Sequence, residues 1–331
     1  MSQPIRVIQY GLGPIGSAMA RHVASRDRLA LVGAVEIDPA KVGMDLGAVI
    51  GLPQPLGIPV SRGLDDALSG GPADVVLHTT QSYFPLFSPQ ILEILASGLD
   101  VVSTSEELSF PWLAHPEEAG AIHAAAVRAG KTVLGTGVNP GFLMDTLPLA
   151  LTALCQRVDR IEVTREMNAS LRRGPFQTKI GSGLTIEAFE ERMAQGRMGH
   201  VGLPESVGMV FDTLGKRLAR FETTVEPVIA DREIRTEHVT VPRGRVCGLK
   251  QVARAESEEG PFVTLTFLAA LDHAIDQDTL RISGTPNLEV TLCGTNGDLA
   301  TIAIAVNAVS RVRDAAPGLI TMRDLPLVTR A

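Results

Sequence analysis

Residues 5–16 read IRVIQYGLGPIG. Ile5, Val7 and Ile8 form a short apolar run that ends at Tyr10, and Gly11, Gly13 and Gly16 follow in the spacing G-x-G-x-x-G. Each glycine has its own physical reason. The first allows a tight turn out of a strand, the second lets a pyrophosphate approach the backbone, and the third lets helix and strand pack closely. Pro14 suits a first helical turn because it has no N–H to lose there. Behind it Ile15, Met19, Ala20 and Val23 recur at helical spacing. A second apolar run, 29–35, ends in Glu36, about twenty residues past the last glycine, where a carboxylate holds adenosine ribose hydroxyls. Strand, loop, helix, strand and acid together predict a dinucleotide site built from Gly11, Leu12, Gly13, Pro14, Ile15 and Gly16. Glu36 or Asp38 stands at the ribose. An acid there repels a 2′-phosphate and favours NAD, while a cation such as Arg62 swinging in would admit NADP.

The chain's 331 residues are enough for two domains. At 45% hydrophobic and 20% charged it has the composition of an ordinary globular enzyme. The net charge of −7 comes without long runs of one sign, which argues against nucleic acid or an anionic membrane as partner. MSQPIRV lacks the basic-then-apolar layout of a secretory signal. The longest apolar stretch, 299–309, is too short to span a bilayer and is interrupted by Thr301 and Asn307. Cys155, Cys247 and Cys293 are odd in number and far apart, as expected of reduced thiols in a cytoplasmic protein. The scattered histidines show no ligand spacing, so no metal is expected.

Strand and helix signals alternate through the first half. DVVLHTT (74–80), DVVSTS (100–105) and 131–135 read as buried strands, with helices expected at 65–68, 89–97 and 117–129. That rhythm predicts an α/β fold of Rossmann type, a doubly wound parallel sheet. Ligands of such sheets bind outside the carboxyl ends of the strands. Segments 78–87, 103–112 and 135–145 should therefore face the cofactor, with Thr79, Thr80, Ser103, Thr104 and Asn139 as contacts. Past about Leu154 the pattern becomes strands at 158–163, 223–230, 237–241, 247–255, 262–269 and 288–293, with helices only near 185–195 and 205–218. This predicts a second α+β domain on a mixed or antiparallel sheet. The apolar helix at 298–314 should return to the first domain. The expected division is 1–150 plus 295–331 against 151–294.

Of thirteen aromatic residues, six fall in the three ligand-facing segments: Tyr83, Phe84, Phe87, Phe110, Trp112 and Phe142. They suit the wall of a small-molecule pocket, or packing. From Gly63 to Val127 there is no Lys or Arg, whereas Glu106 and Glu107 stand at a strand's ligand end. A site for an anion would present basic side chains. This one suits a cationic or neutral substrate, and Arg172, Arg173 and Lys179 are the candidates for charge supplied from the second domain. Acids there also favour a helix start, and two adjacent acids can serve both ends.

VLGTGVNPGFLMD (133–145), STSEELSFPW (103–112) and VEIDPAKVGMDLG (35–47) resemble 2,4-diaminopentanoate dehydrogenase and the related NAD(P)-dependent amine dehydrogenases, which share the dihydrodipicolinate reductase-like N-terminal fold. The likeness spans the chain to PGLITMRDLP (317–326). It implies reversible oxidative deamination of an amine, or reductive amination of a ketone or aldehyde with ammonia, using NAD or NADP. It also implies a homodimer whose second domain closes over the substrate. The family's acid carries over to the pair Glu106 and Glu107, with Glu106 favoured because it follows the strand end more closely. Asn139 would hold the nicotinamide end, and Tyr83, Phe110, Trp112 and Phe142 would line the substrate pocket. True dihydrodipicolinate reductases carry a His-His…Lys…Ser-Gly-Thr signature. Here the nearest stretch is RRGPFQTKIGSG (172–183), without the histidine pair, and the lysine of homoserine-type dehydrogenases is missing after VVSTS. The alternatives are an aspartate-, homoserine- or dihydrodipicolinate-type dehydrogenase or reductase on the same fold, or a cofactor-binding sensor without turnover.

Overall fold

The computed structural model describes residues 3–330 and separates into two units, Met1–Phe142 with Asn296–Ala331, and Leu143–Thr295. In chain order the first unit holds β1 (Ile5–Tyr10), α1 (Pro14–Ala24), β2 (Leu29–Val35), α2 (Leu46–Val49), β3 (Val60–Ser61), α3 (Leu64–Leu68), β4 (Val75–His78), α4 (Phe84–Ala96), β5 (Asp100–Ser103), α5 (Pro116–Ala129) and β6 (Thr132–Gly135). The second unit holds α6 (Thr146–Thr152), β7 (Arg157–Asn168), α7 (Gly174–Lys179), α8 (Ile186–Ala194), α9 (Leu203–Thr213), β8 (Leu218–Ile229), β9 (Ile234–Arg235), β10 (Thr240–Val241), β11 (Val246–Ser257), β12 (Gly260–Ala270), β13 (Gln277–Thr285) and β14 (Leu288–Cys293). The chain then returns to the first unit with α10 (Gly297–Arg313) and β15 (Gly318–Ile320).

The first unit is a seven-stranded parallel sheet in the order β15-β6-β5-β4-β1-β2-β3. Strands covered on both faces must be apolar nearly throughout, and β4, β5 and β6 are buried along their whole length. Phe84, Phe87, Ile91 and Ile94 of α4 and Ile122 of α5 pack one face through Ile8, Val76, Val101 and Val133. Met19 and Val23 of α1 with Ala305, Val306 and Val309 of α10 pack the other through Val7, Leu77 and Val102. Each large side chain so buried stabilises the unit by about 1.5–3 kcal/mol. The strand order reverses between β1 and β4, so the crevice for a ligand opens over the ends of those two strands.

Several local expectations change. The helix expected from Pro89 begins at Phe84, because Pro85 takes the first turn and Phe84 and Phe87 are drawn into the core. Pro89 lies inside it. The division falls after Phe142 and before Asn296 rather than at 150 and 295, since Leu147, Leu149 and Leu151 of α6 pack on the second unit's core.

The second unit is a six-stranded mixed sheet, β14-β13-β7-β12-β11-β8, with a small β9–β10 ribbon. β7 runs parallel to β12 and the other neighbours are antiparallel. Ile161, Val163, Leu249, Leu265, Phe267 and Leu280 share a core with Phe189, Leu203, Val207 and Phe211 of α8 and α9. β13 and α7 have no counterpart in the sequence reading. QDTLRISGT alternates, and pairing between β7 and β14 makes it a strand. α9 stops at Thr213 rather than Leu218, where Gly215 turns with φ +63° and β8 begins.

Candidate active site

The glycines of the first loop divide by what they answer to. Gly11 has φ +92°, and a Cβ there would lie 2.6 Å from the Thr79 carbonyl oxygen. A Cβ on Gly16 would sit 2.0 Å from the Gly11 oxygen. Both are required by the protein's own packing. Gly13 is different. Its φ of −63° and ψ of −175° suit any residue, and nothing lies within 4 Å of where its Cβ would be. The space it leaves is open and sits at the N-terminus of α1, where free N–H groups and the helix dipole favour phosphate. A dinucleotide pyrophosphate fits that space.

Glu36 is at the expected distance but is not idle. Its carboxylate accepts the Leu12 N–H at 2.8 Å and the Ile37 and Asp38 N–H groups at 2.8 and 3.2 Å. It thus ties the glycine-rich loop to the end of β2. Asp38 serves its own turn, accepting from Ala40 N–H at 3.0 Å. Lys41, which the sequence reading passed over, donates to the Leu12 carbonyl at 3.0 Å and lies 3.7 Å from Asp38. A cation therefore stands beside Asp38 and the glycine-rich loop. Buried Gln9 was also missed: its amide donates to the Gly11 and Leu77 carbonyls and to Thr79 Oγ1. Both lie inside the stretches 5–16 and 35–47, but neither is a residue the glycine pattern or the ribose acid calls for, so only their positions in the fold mark them.

The hydroxyls expected at the cofactor are largely turned inward. Thr79 Oγ1 donates to the Gly11 carbonyl at 2.9 Å. Thr80 Oγ1 donates to Gln90 Oε1 at 2.7 Å, and Ser103 Oγ is 2.9 Å from His78 Nδ1. Thr104 is half-buried and its N–H donates to the His78 carbonyl. Asn139 is buried in the loop after β6, whose Val138 N–H is held by Thr301 Oγ1 of α10 at 3.2 Å.

Glu106 and Glu107 separate cleanly. The Glu107 carboxylate accepts the Phe84 N–H at the start of α4 and lies 3.5 Å from His115 Nε2. It closes a helix N-terminus from a distant loop and counters the dipole there. The Glu106 carboxylate, half-buried, makes no hydrogen bond or ion pair with any described residue. The short turn carrying both acids lies against β6, because Gly135 lets Leu108 approach: a Cβ there would be 2.4 Å from the Leu108 carbonyl carbon.

The aromatic group also divides. Phe84 and Phe87 belong to the core under α4. Phe110 is buried, with its ring centroid 5.3 Å from that of Trp112. Tyr83 is exposed at the head of α4, and Phe142 is half-buried on the core beside α10. The Arg323 guanidinium stands 5.6 Å over the Phe110 ring, so the stretch without cations receives one from the C-terminal segment of the same unit. Arg172, Arg173 and Lys179 belong to the second unit, where Arg172 lies over the Phe176 ring. Among the described residues no cluster of three or more His, Cys, Asp or Glu is placed to hold a metal.

Known proteins share this architecture. The chain is 30% identical to the 2,4-diaminopentanoate dehydrogenase of Acetoanaerobium sticklandii, over 98% of this chain and 94% of that protein. It is 23% identical to an amine dehydrogenase of Streptomyces virginiae, over 98% and 96% of the two chains. The structure of an amine dehydrogenase from Mycobacterium smegmatis superposes with a TM-score of 0.87 at 27% identity, covering 99% of this chain and 97% of that one. Residues 142–331 match the family of the 2,4-diaminopentanoate dehydrogenase C-terminal domain, and with the full-length likeness this places the chain in the 2,4-diaminopentanoate dehydrogenase family.

Proposed function

We propose that this protein is an NAD(P)-dependent amine dehydrogenase with Glu106 as its catalytic carboxylate. The observation that carries the reading is the unpartnered Glu106 side chain at the carboxyl edge of a dinucleotide-binding sheet. The reaction converts an amine, water and NAD(P)⁺ into a carbonyl compound, ammonium and NAD(P)H, and runs in both directions. The nicotinamide, when bound, gives or accepts the hydride at the amine-bearing carbon. Gly13 and the α1 N-terminus hold the pyrophosphate, Glu36 the ribose, and Asn139 the nicotinamide end. Glu106 holds the ammonium or iminium nitrogen, and its negative charge stabilises the positive charge that grows as the imine forms or collapses. Glu36 favours NAD, while Lys41 offers a 2′-phosphate its counter-charge, so both cofactors are accepted.

The substrate has a modest apolar tail, packed by Tyr83, Trp112 and Phe142, and needs no α-carboxylate. Beside Glu106 an unpaired carboxylate would lose hydration and meet like charge, at a cost of several kcal/mol. Reductive amination of a simple ketone or aldehyde, against the matched keto acid, with ammonia and both reduced cofactors, tests this. Turnover of the ketone is expected. Turnover confined to the keto acid, and lost in Arg323→Ala, would overturn the substrate reading and leave the amine chemistry standing. No turnover of any carbonyl compound with ammonia would overturn both.

A homodimer is supported by the residues on the face of the second unit's sheet that alternates with its core face. Its central row runs Thr224, Val252, Thr266, Thr164, Thr279, Thr291. One flanking row runs Glu222, Arg254, Thr264, Glu162, Arg281, Glu289, and the other Glu226, Lys250, Leu268, Glu166, Gln277, Cys293. Side chains alternate across a sheet, so these rows lie opposite the helix-covered core. A second copy meeting this face by a two-fold axis sets threonine against threonine and alternating charge against alternating charge. Sedimentation should give twice the chain's mass, and Thr266→Arg should give a monomer. A monomeric wild type at micromolar concentration would remove the dimer. No helix among the described residues is long and apolar enough to cross a membrane, and none of the three cysteines is in a disulfide. The free thiols support a cytoplasmic location.

A further inference from the structure

His78 ends β4 with its imidazole fully buried. Its Nε2 is 2.8 Å from Gln90 Oε1 and 2.9 Å from Thr80 Oγ1, and its Nδ1 is 2.9 Å from Ser103 Oγ. The roles follow from the partners. An amide oxygen only accepts, so Nε2 carries the proton, and Nδ1 must then accept from the Ser103 hydroxyl. Ser103 Oγ in turn accepts the Ser105 N–H at 3.1 Å. Hydrogen bonds therefore run in one direction from the Ser105 amide through Ser103 and His78 to Gln90, linking β5, β4 and α4. Tyr10 of β1, ring centroid 5.6 Å away, and Phe87 of α4, at 6.5 Å, pack against the imidazole. The acid behind Tyr10, Glu93, is bound to the tyrosine hydroxyl at 3.5 Å. Burial pushes the His78 pKa down to about 4, against a smaller rise from Gln90.

Ser105 is the residue before Glu106 and opens the turn that carries it. We propose that His78 is the positioning residue of the reaction centre, acting through Ser103 to fix the backbone from which Glu106 reaches the substrate nitrogen. The inference rests on the catalytic reading of Glu106 given above. An imidazole suits the task because it accepts on one edge and donates on the other, joining two strands and a helix by one rigid ring. A misplacement of about 1 Å at a reacting group is enough to cost orders of magnitude in rate.

Ser103→Ala deletes one oxygen and severs the link with the least disturbance. It should lower kcat about tenfold or more with cofactor affinity unchanged, and it should speed hydrogen exchange at the Ser105 amide. His78→Asn keeps an acceptor for Ser103 near the Nδ1 position and should recover most of kcat, whereas His78→Leu should not. In ¹⁵N spectra of histidine-labelled wild type, His78 should show a protonated Nε2 and bare Nδ1 that do not titrate between about pH 5.5 and 9. A His78 that titrates near its ordinary value, or a Ser103→Ala enzyme with wild-type kcat, would overturn the positioning role. Absence of amine turnover in the wild type would instead overturn the reading on which it rests. A purely structural link would lower Tm in these variants and leave kcat well below Tm untouched.

Discussion

Glu106→Gln should lower kcat by about two orders of magnitude or more, with cofactor affinity and Tm unchanged. The substitution keeps size and one acceptor and removes only the charge. A hundredfold loss corresponds to about 2.7 kcal/mol of transition-state stabilisation, the usual size for deleting an electrostatic group at a reacting centre. Since Glu106 has no partner among the described residues, its neutralisation strands no buried cation and breaks no ion pair. Stability should therefore hardly move. Glu107→Gln supplies the contrast. Glu107 closes the α4 N-terminus through the Phe84 N–H and faces His115. Losing its charge should cost about 1 kcal/mol of stability while leaving turnover near normal. Rates of reductive amination and thermal melts of both variants decide the matter. An active Glu106→Gln beside an inactive Glu107→Gln would reverse the assignment.

Gly13→Val should weaken cofactor binding about a hundredfold or more in a protein that still folds. The backbone at Gly13 has angles open to any residue, and no protein atom lies within 4 Å of the new Cβ. The added methyls meet nothing until a pyrophosphate arrives, and then occupy its place. Titration of nicotinamide fluorescence should show the loss, and the melting temperature should stay within a few degrees. Unchanged affinity would remove the dinucleotide site from this loop. Gly16→Ala should behave in the opposite way. Its Cβ would collide with the Gly11 oxygen, so the damage would appear as lost stability.

What the sequence determined lies mostly along the chain. The G-x-G-x-x-G turn, its Pro14 and the acid after β2 are local in their geometry, because a turn, a helix start and a strand end need only their own residues. The alternation of buried strands with helices likewise fixed a parallel sheet, and that sheet's carboxyl edge singled out three segments as candidates for the site. The resemblance of GTGVNPGF and STSEELSF to a known family added the activity, and the full-length likeness bears it out.

Tertiary structure alone decided how neighbouring residues of one type divide their work. Glu106 and Glu107 are adjacent in sequence and equal in charge. Only the arrival of the α4 N-terminus beside one of them leaves the other unpartnered. Thr80 and Ser103 read as ligand contacts because they end strands, yet Gln90 of α4 and His78 of the neighbouring strand take their hydroxyls inward. The stretch from Gly63 to Val127 has no cation of its own, but the C-terminal segment folds back and sets Arg323 over Phe110. Sequence patterns report periodicity and local bonding, whereas these contacts join residues tens or hundreds of positions apart, and their partners are fixed by packing. Side-chain type therefore determined what chemistry this protein can hold, and the fold decided which copy of each side chain is left to perform it.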